Sequence, residues 1–531
     1  MNNYAWKLGV LLAVASATSM AQAKFAATTH HYDTFRTGWN SHETLLNPSF
    51  QDRRPPEVSD PFGLVAKVAV DDNVYAQPLV VPDVNVSGGL FAGKHDVVYV
   101  ATENNTVYAI DAQSGQILLT RNFGPPVDRP GSCENNGPHV GIESTPVIDQ
   151  AAGILYFVAY TNIQRPTYRV HAIDIGSLQD RLSPVVVSAS HKLANGGTIS
   201  FNAVVQRQRP ALLLADGNVY AAFGSFCDNR NDAIESRGWL LGWQASTLKP
   251  LAANYLTNRI SSSNKHLSAI WMSGYGPAAV AGHIYFATGN SNDSYDKANN
   301  LSESVVKVLS NLTKLLDFFT PNNDAALDTG DLDFGSGGVM VIPDQTGKTK
   351  QMAVSAGKDG RMFLMNRNHL GGRNTTADQV LGTFQIGACW CGESFYQNNV
   401  VSSGGTKVGV WPIKTSATTK GSLGQPFWSE DLGGGGDGGF LTSVSSNGNS
   451  NTMIWAVSRG TIKLFAFQPI PATSTLKPLG QWPAGRWDDP SLAGANSTAV
   501  PVVANGHVYV ASFKELDIFG FIPPVFRQTN H

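Results

Sequence analysis

The feature that most constrains the fold of this chain is a pair of short strands joined by a polar turn. Residues 97–102 and 106–111 are largely apolar runs, and Asn104-Asn105 lies between them. Alternating or continuous apolar runs of this length are typical of half-buried or buried strands. The second run leads into Asp111-Ala-Gln-Ser-Gly115, in which Asp and Ser side chains bond backbone amides and Gly allows a positive φ. The pattern predicts a β-hairpin followed by a tight turn.

This unit recurs along the chain, which is typical of one repeat domain rather than of several separate domains. Matching pairs of runs lie at residues 154–158 and 168–174, 218–223 and 239–243, 283–288 and 304–309, 351–355 and 361–366, 453–457 and 461–467, and 507–511 and 516–519, with a poorly preserved copy around residues 408–411. These eight units predict an all-β, eight-bladed β-propeller, with seven blades as the alternative. An open solenoid and a two-sheet sandwich are the rival folds, although a sandwich does not require so many similar hairpins.

Two segments carry further expectations about the ring. Residues 62–68 form an apolar run ahead of the first unit, and we expect this strand to complete the last blade and so remove the open edges. Residues 301–319 also have partial helical periodicity, so a helix competes with the expected strands in that segment.

The N-terminus has the pattern of a cleaved export signal. Lys7 precedes an apolar run from Leu8 to Ser16, and Ala21-Gln-Ala23 matches the small-x-small cleavage pattern. We therefore expect a signal peptide at residues 1–23, an N-terminal arm at 24–61, one propeller domain at 62–525 and a tail at 526–531. The arrangement predicts a periplasmic or secreted protein, and the apolar run is too short for a membrane span.

Composition narrows the possible partners. The formal net charge is −2 and only 15% of the residues are charged, which predicts no nucleic-acid partner. In an oxidising compartment the four cysteines can form up to two disulfides, with three possible connectivities. These cysteines are Cys133, Cys227, Cys389 and Cys391.

If residues 389–391 form a strand, Cys389 and Cys391 share a face at or beyond the reach of a disulfide, so we expect each to pair elsewhere. A Cys-x-Cys metal site is the alternative. Near the start of the arm, His30, His31 and His42 are candidate copper or zinc ligands, but a mobile, exposed arm is the commoner explanation.

The turn motif resembles that of a known family. The run from Ala109 to Gly115 is similar to the blade motif of the pyrroloquinoline quinone (PQQ) dehydrogenases, and residues 36–40 are similar to the entry segment of that superfamily. As architecture, the resemblance covers nearly all of the chain after the signal. It implies an eight-bladed propeller of the quinoprotein type.

Four residues, in the order that the family has them, resemble its cofactor site. Trp271 resembles the tryptophan beneath the quinone, and Asn290 resembles the asparagine whose amide oxygen binds calcium. Asp333 resembles the aspartate that acts as general base, and Lys358 resembles the basic residue that contacts the quinone oxygens. These residue types suit stacking on a flat ring, ligation of a hard cation, proton transfer and stabilisation of negative charge.

Each of the four also has an ordinary structural interpretation. Trp271 suits packing between blades, Asn290 and Asp333 suit tight turns, and Lys358 suits a solvated hairpin.

The chain also departs from the family pattern. Cys133 stands alone where the family often has two adjacent cysteines. The acids before Arg237, which are Asp228, Asp232 and Glu235, are spaced differently from the family's calcium-binding glutamate.

The resemblance implies a PQQ-type oxidoreductase that acts on an alcohol, aldehyde or sugar, with PQQ and calcium as cofactors. The sequence has no Cys-x-x-Cys-His haem attachment site, so the electrons would pass to an external acceptor. The alternative is a non-catalytic secreted propeller that binds a protein or glycan partner, because a fold does not fix a function.

Overall fold

The computed structural model describes residues 24–50, 62–128, 137–226, 236–260, 268–292, 294–433, 438–458, 461, 463–486 and 499–522. Within these ranges, eight mainly antiparallel sheets of three to five strands follow one another along the chain. This is the predicted eight-bladed β-propeller. The expected signal peptide, the expected tail, Cys133 and Cys227 lie outside the described ranges.

The first four sheets are numbered blades 1 to 4 in chain order. Blade 1 contains Leu79–Val86, Gly93–Ala101, Thr106–Asp111 and Ile117–Asn122; blade 2 contains Val147–Asp149, Ile154–Asn162, Pro166–Asp174 and Asp180–Val186. Blade 3 contains Gln206–Arg207, Leu213–Ala215, Asn218–Ser225, Trp239–Gln244 and Tyr255–Leu256; blade 4 contains Ala278–Val280, His283–Ala287, Val305–Leu309 and Leu315–Thr320, joined by Gly372–Arg373.

The remaining sheets complete the ring. Blade 5 contains Val339–Ile342, Met352–Ala356, Arg361–Asn366 and Gly382–Gln385; blade 6 contains Ser394–Tyr396, Asn399–Ser402, Gly409–Lys414, Ser422–Leu423 and Phe427–Trp428. Blade 7 contains Thr442–Asn447, Ser450–Ser458, Lys463–Ile470 and Thr475–Pro483, joined by Trp39–Asn40; blade 8 contains Val502–Ala504, His507–Phe521 and Phe62–Asn73.

Short elements lie between the blades. They are the strand pairs Val127–Asp128 with His139–Val140 and Ser190–Lys192 with Thr198–Ser200, the 3-10 turns Met272–Gly274 and Phe334–Ser336, and the α-helix Asp324–Gly330. Residues 305–309 and 315–320 are strands, so the helical periodicity of that segment does not produce a helix there. No helix in the described ranges is long and apolar enough to cross a membrane.

Closure of the ring explains why the inner strands are apolar on both faces. Residues 97–101 of blade 1 are all buried, because each inner sheet is covered by a neighbouring blade on either side. The outer strand Asp180–Val186, by contrast, is mostly exposed. Val98 of blade 1 and Val502 of blade 8 belong to one buried cluster, so the first and last blades pack together. Phe62–Asn73 pairs with His507–Phe521, which confirms that the N-terminal strand completes the last blade.

The N-terminal segment, defined here as residues 24–43, lies inside the ring. Hydrogen bonds join it to the first strand of every blade or to the residue beside that strand. In the order of the blades, the bonded pairs are Ala27 with Val80, Thr28 with Ile148, Arg36 with Leu212, Thr34 with Ala279, Phe35 with Val341, Thr37 with Phe395, Gly38 with Val444 and Asn40 with Val503. The first strand of each blade borders the central axis of a propeller. The segment therefore fills the axial channel.

The prediction of a mobile, exposed arm is wrong for His30 and His31. Both side chains are buried, and their rings stack with centroids 4.7 Å apart. Burial lowers the pKa of His31 to about 3 and also lowers that of His30, so both imidazoles are neutral. His42 is exposed and stacks on Phe25, and the three histidines do not form a metal-binding group within the described ranges.

Candidate functional site

Trp271, Asn290, Asp333 and Lys358 come together at one end of blades 4 and 5. In each blade the first strand begins and the second strand ends at this end of the ring, because the two strands are antiparallel. Trp271 and Asp333 precede the first strands of the two blades, and Asn290 and Lys358 follow the second strands. The repeat itself therefore brings four residues that are far apart in sequence to one place.

Asp333 is the centre of this group. Its Oδ1 accepts a hydrogen bond of 2.8 Å from the backbone N–H of Asn290, and its Oδ2 lies 2.5 Å from Nζ of Lys358. The side chain of Asp333 is buried, so water has little access to the carboxylate. Both oxygens are therefore held in a fixed direction by groups of the chain.

The close approach of these groups requires glycine at two positions. A Cβ atom on Gly289 would lie 2.7 Å from Oδ1 of Asp333 and 3.0 Å from Nε1 of Trp271. A Cβ atom on Gly335 would lie 2.4 Å from the backbone nitrogen of Gly289. Real Cβ contacts are essentially never shorter than 3.0 Å, so a larger residue at either position would force Asp333 or the backbone of Gly289 to shift.

Lys358 is a half-buried cation with two carboxylate partners. Its Nζ lies 3.0 Å from Oδ1 of Asp331 as well as 2.5 Å from Asp333. Burial works to lower the pKa of Lys358, but the nearby Asp333 and Asp331 carboxylates outweigh it and raise the pKa above its ordinary value. Lys358 is therefore an ammonium at any physiological pH.

Two indole rings flank this ammonium. The Nζ of Lys358 lies 5.4 Å from the ring centroid of Trp271 and 5.6 Å from that of Trp390. Both tryptophans are only half-buried, so part of each ring is open to a ligand. Aromatic faces and a fixed cation are suited to a flat molecule that carries negative charge.

Sequence reasoning missed Trp390 because it misjudged the cysteines beside it. Cys389 and Cys391 form a disulfide with each other, so the expectation that each pairs elsewhere is wrong. The segment bends instead of forming a strand, and the Cα atoms are only 4.9 Å apart. Cys389, Cys391 and Glu393 form the one group of three possible metal ligands within the described ranges, but sulfurs joined in a disulfide are not thiolate ligands.

Two carboxyl groups beneath the site were also missed. Glu303 is fully buried and accepts a 2.5 Å hydrogen bond from the backbone N–H of Phe334. Burial raises the pKa of Glu303 far above its ordinary range, and the charges of Asp333 and Asp328 raise it further. Burial likewise raises the pKa of Asp328 to about 7. The only signal in the sequence is an acid close to an apolar run, which is too common to select a residue.

A second buried ionic cluster lies at the same end of blades 1 to 3. Nε of Arg207 donates to both carboxylate oxygens of Glu143, at 2.8 and 3.0 Å, and Nη1 of Arg209 lies 3.5 Å from the same carboxylate. Glu103, which follows the second strand of blade 1, is buried beside them. Burial, together with the charges of Glu143 and Asp72, raises the pKa of Glu103 well above its ordinary range. Charged groups are therefore buried around much of this end of the ring.

The acids that precede Arg237, namely Asp228, Asp232 and Glu235, lie outside the described ranges.

Comparisons with known proteins relate this fold to solved structures but not to a sequence family. No family model and no curated protein sequence matches the chain. Among solved structures, it is similar to a quinohemoprotein alcohol dehydrogenase from Pseudomonas putida HK5, with a TM-score of 0.59 and 14% identity over 94% of this chain and 80% of that one. It is also similar to a europium-containing methanol dehydrogenase, with a TM-score of 0.57 and 11% identity over 93% of this chain and 98% of that one.

BamB from Moraxella catarrhalis matches with a TM-score of 0.45 and 11% identity, over 88% of this chain and 99% of that one. At 14% and 11% identity, the two dehydrogenase matches establish a shared architecture and nothing finer. The chain has the fold of the quinoprotein dehydrogenases, an eight-bladed β-propeller.

Proposed function

We propose that this protein is a PQQ-type oxidoreductase that oxidises an alcohol, aldehyde or sugar. The observation that carries the proposal is the convergence of Trp271, Asn290, Asp333 and Lys358 at one end of the ring. The names of two proteins of similar fold, an alcohol dehydrogenase and a methanol dehydrogenase, support it.

The chemistry of the residues fits both cofactors. The half-open rings of Trp271 and Trp390 and the ammonium of Lys358 would hold a flat, anionic quinone. The side-chain amide of Asn290 offers an oxygen ligand, the kind of ligand that calcium prefers. When bound, PQQ would supply the acceptor for two electrons and calcium would supply a Lewis acid.

In this proposal Asp333 takes the proton of the substrate hydroxyl. The ion pair with Lys358 stabilises the carboxylate, which is the form that can accept a proton. The hydrogen bond from Asn290 fixes the direction of the other oxygen, and burial keeps competing water away. A positioned general base of this kind contributes roughly 10²–10⁴-fold to the rate.

The protein would act outside the cytoplasm and pass electrons to a separate acceptor. The disulfide between Cys389 and Cys391 supports an oxidising compartment. The sequence has no Cys-x-x-Cys-His segment, which supports an external electron acceptor.

Dye-linked turnover tests the proposal. Protein reconstituted with PQQ and calcium should oxidise at least one member of a panel of primary alcohols, aldehydes and aldoses, with an artificial dye as acceptor. Asp333→Asn should still bind PQQ but lose at least 100-fold in turnover, whereas Asp83→Asn, which changes an exposed aspartate of blade 1, should match the wild type.

Two outcomes would decide against the oxidoreductase. Unchanged turnover in Asp333→Asn would remove this residue from its role as base. The absence of both PQQ binding and turnover would favour the non-catalytic propeller that binds a protein or glycan.

A further inference from the structure

The side wall of the ring has a groove of about 570 Å³ between blades 3 and 4. One wall is the stretch 252–257, which contains the outer strand of blade 3, and the other contains residues 312–315, at the start of the outer strand of blade 4. None of the candidate-site residues lines it. Its volume lies within the range of about 300–1,000 Å³ typical of ligand sites.

The lining of this inter-blade groove is strongly one-sided in charge. Its charged residues are Lys192, Arg259, Lys297 and Lys314, and the lining contains no aspartate or glutamate. Within the described ranges, none of the four has a carboxylate within ion-pair distance; the ion pairs lie elsewhere, as in Arg121 with Asp180. Four cations that have no carboxylate partner among the described residues therefore line one cleft of a chain whose net charge is −2.

The groove also has apolar walls. Ala253, Tyr255 and Leu315, which are half-buried, line it together with the exposed Ala252 and Ala298. An acidic peptide brings carboxylates for the cations and apolar side chains for these accessible apolar groups, whereas an anionic sugar polymer brings charge but no hydrocarbon side chains. The mixed lining thus favours a peptide over a glycan.

We propose that the inter-blade groove binds an extended acidic peptide segment of a partner protein, one that also carries apolar side chains. The glutamates or aspartates of the segment pair with the four cations, and its apolar side chains pack against Tyr255, Leu315 and the alanines of the lining. This binding is independent of the proposed oxidoreductase activity, because it uses none of the candidate-site residues.

Fluorescence anisotropy with a labelled ten-residue peptide of alternating Glu and Leu tests the proposal on the full chain. The charge-reversed Lys–Leu peptide serves as the negative probe, and an oligogalacturonate of equal charge serves as the glycan competitor. We expect the Glu–Leu peptide to bind and the Lys–Leu peptide not to bind. The affinity should fall at high salt, because charges in an open groove are screened.

The variant Lys297→Glu/Lys314→Glu reverses two exposed charges of the groove and should weaken peptide binding at least tenfold. The matched control, Lys350→Glu/Lys477→Glu, makes the same change of charge at exposed positions outside the groove and should alter binding less than twofold. Circular dichroism checks that both variants fold.

Three results would overturn the proposal. They are the absence of binding at millimolar peptide, an equal loss of affinity in the two double variants, and tighter binding of the oligogalacturonate than of the peptide.

Discussion

The substitution Arg36→Ala tests whether the N-terminal segment is an integral part of the propeller. The guanidinium of Arg36 is fully buried and donates hydrogen bonds to Oγ1 of Thr29 at 2.8 Å and to the carbonyl oxygens of His30, Leu212 and Pro277 at 2.9, 3.0 and 3.0 Å. Alanine would leave four buried acceptors without this donor. A buried polar group left unsatisfied costs about 1–3 kcal/mol. Since carbonyl oxygens keep other partners, we expect a total loss of about 3–5 kcal/mol.

The loss converts into a measurable shift in Tm. Unfolding carries an entropy of about 2.1 cal/mol/K per residue, or about 1 kcal/mol/K for roughly 500 folded residues. Arg36→Ala should therefore lower the Tm by about 3–5 °C in differential scanning calorimetry.

Arg181→Ala is the control for this variant. The side chain of Arg181 is 49% exposed and pairs with Asp174 on the surface, so its loss should cost less than about 1 kcal/mol. If Arg36→Ala changed the Tm no more than Arg181→Ala does, the N-terminal segment would not stabilise the ring as described.

The remaining predictions concern the disulfide and a buried acid beside it. The double variant Cys389→Ser/Cys391→Ser opens a very short loop, so it should lose only about 1.5–2 kcal/mol and about 2 °C in Tm; a much larger loss in calorimetry would contradict this. Burial raises the pKa of Glu393 from its ordinary 4.5 to about 7. Between these two pH values the folded protein keeps a proton on Glu393 that the unfolded chain has released. Glu393 therefore destabilises the fold progressively as the pH rises from 4.5 to 7. The Tm of Glu393→Gln relative to the wild type should therefore rise by about 3 °C over that interval and level off above it, and a constant difference across the pH range would refute this assignment.

The fold could be predicted from the sequence because each blade repeats one local pattern. The runs at 97–102 and 106–111 pair as Gly93–Ala101 with Thr106–Asp111, and the run at 62–68 closes the ring. The path of the N-terminal segment could not be predicted in this way. Arg36 reaches Leu212 and Pro277 through the ring, and such contacts leave no periodicity in the sequence.

The candidate site could be predicted only as far as the repeat and the family resemblance reach. Asn290 and Lys358 follow equivalent strands in neighbouring blades, so their proximity follows from the repeat. Trp390 and Glu303 were not predicted, because the position of Trp390 depends on a bend of the backbone and the role of Glu303 depends on its burial. An i, i+2 cysteine pair lies at or beyond disulfide reach in a strand, but a bent backbone brings it within reach, and no pattern around residues 389–391 predicted the bend.

Calorimetric titration of PQQ into the protein in the presence of calcium measures whether the candidate site holds this cofactor. We expect one PQQ per chain, with an affinity that falls at least tenfold in Trp271→Ala and is unchanged in Lys477→Met, which changes an exposed lysine of blade 7. Absence of binding, or equal affinity in the wild type and Trp271→Ala, would contradict the account.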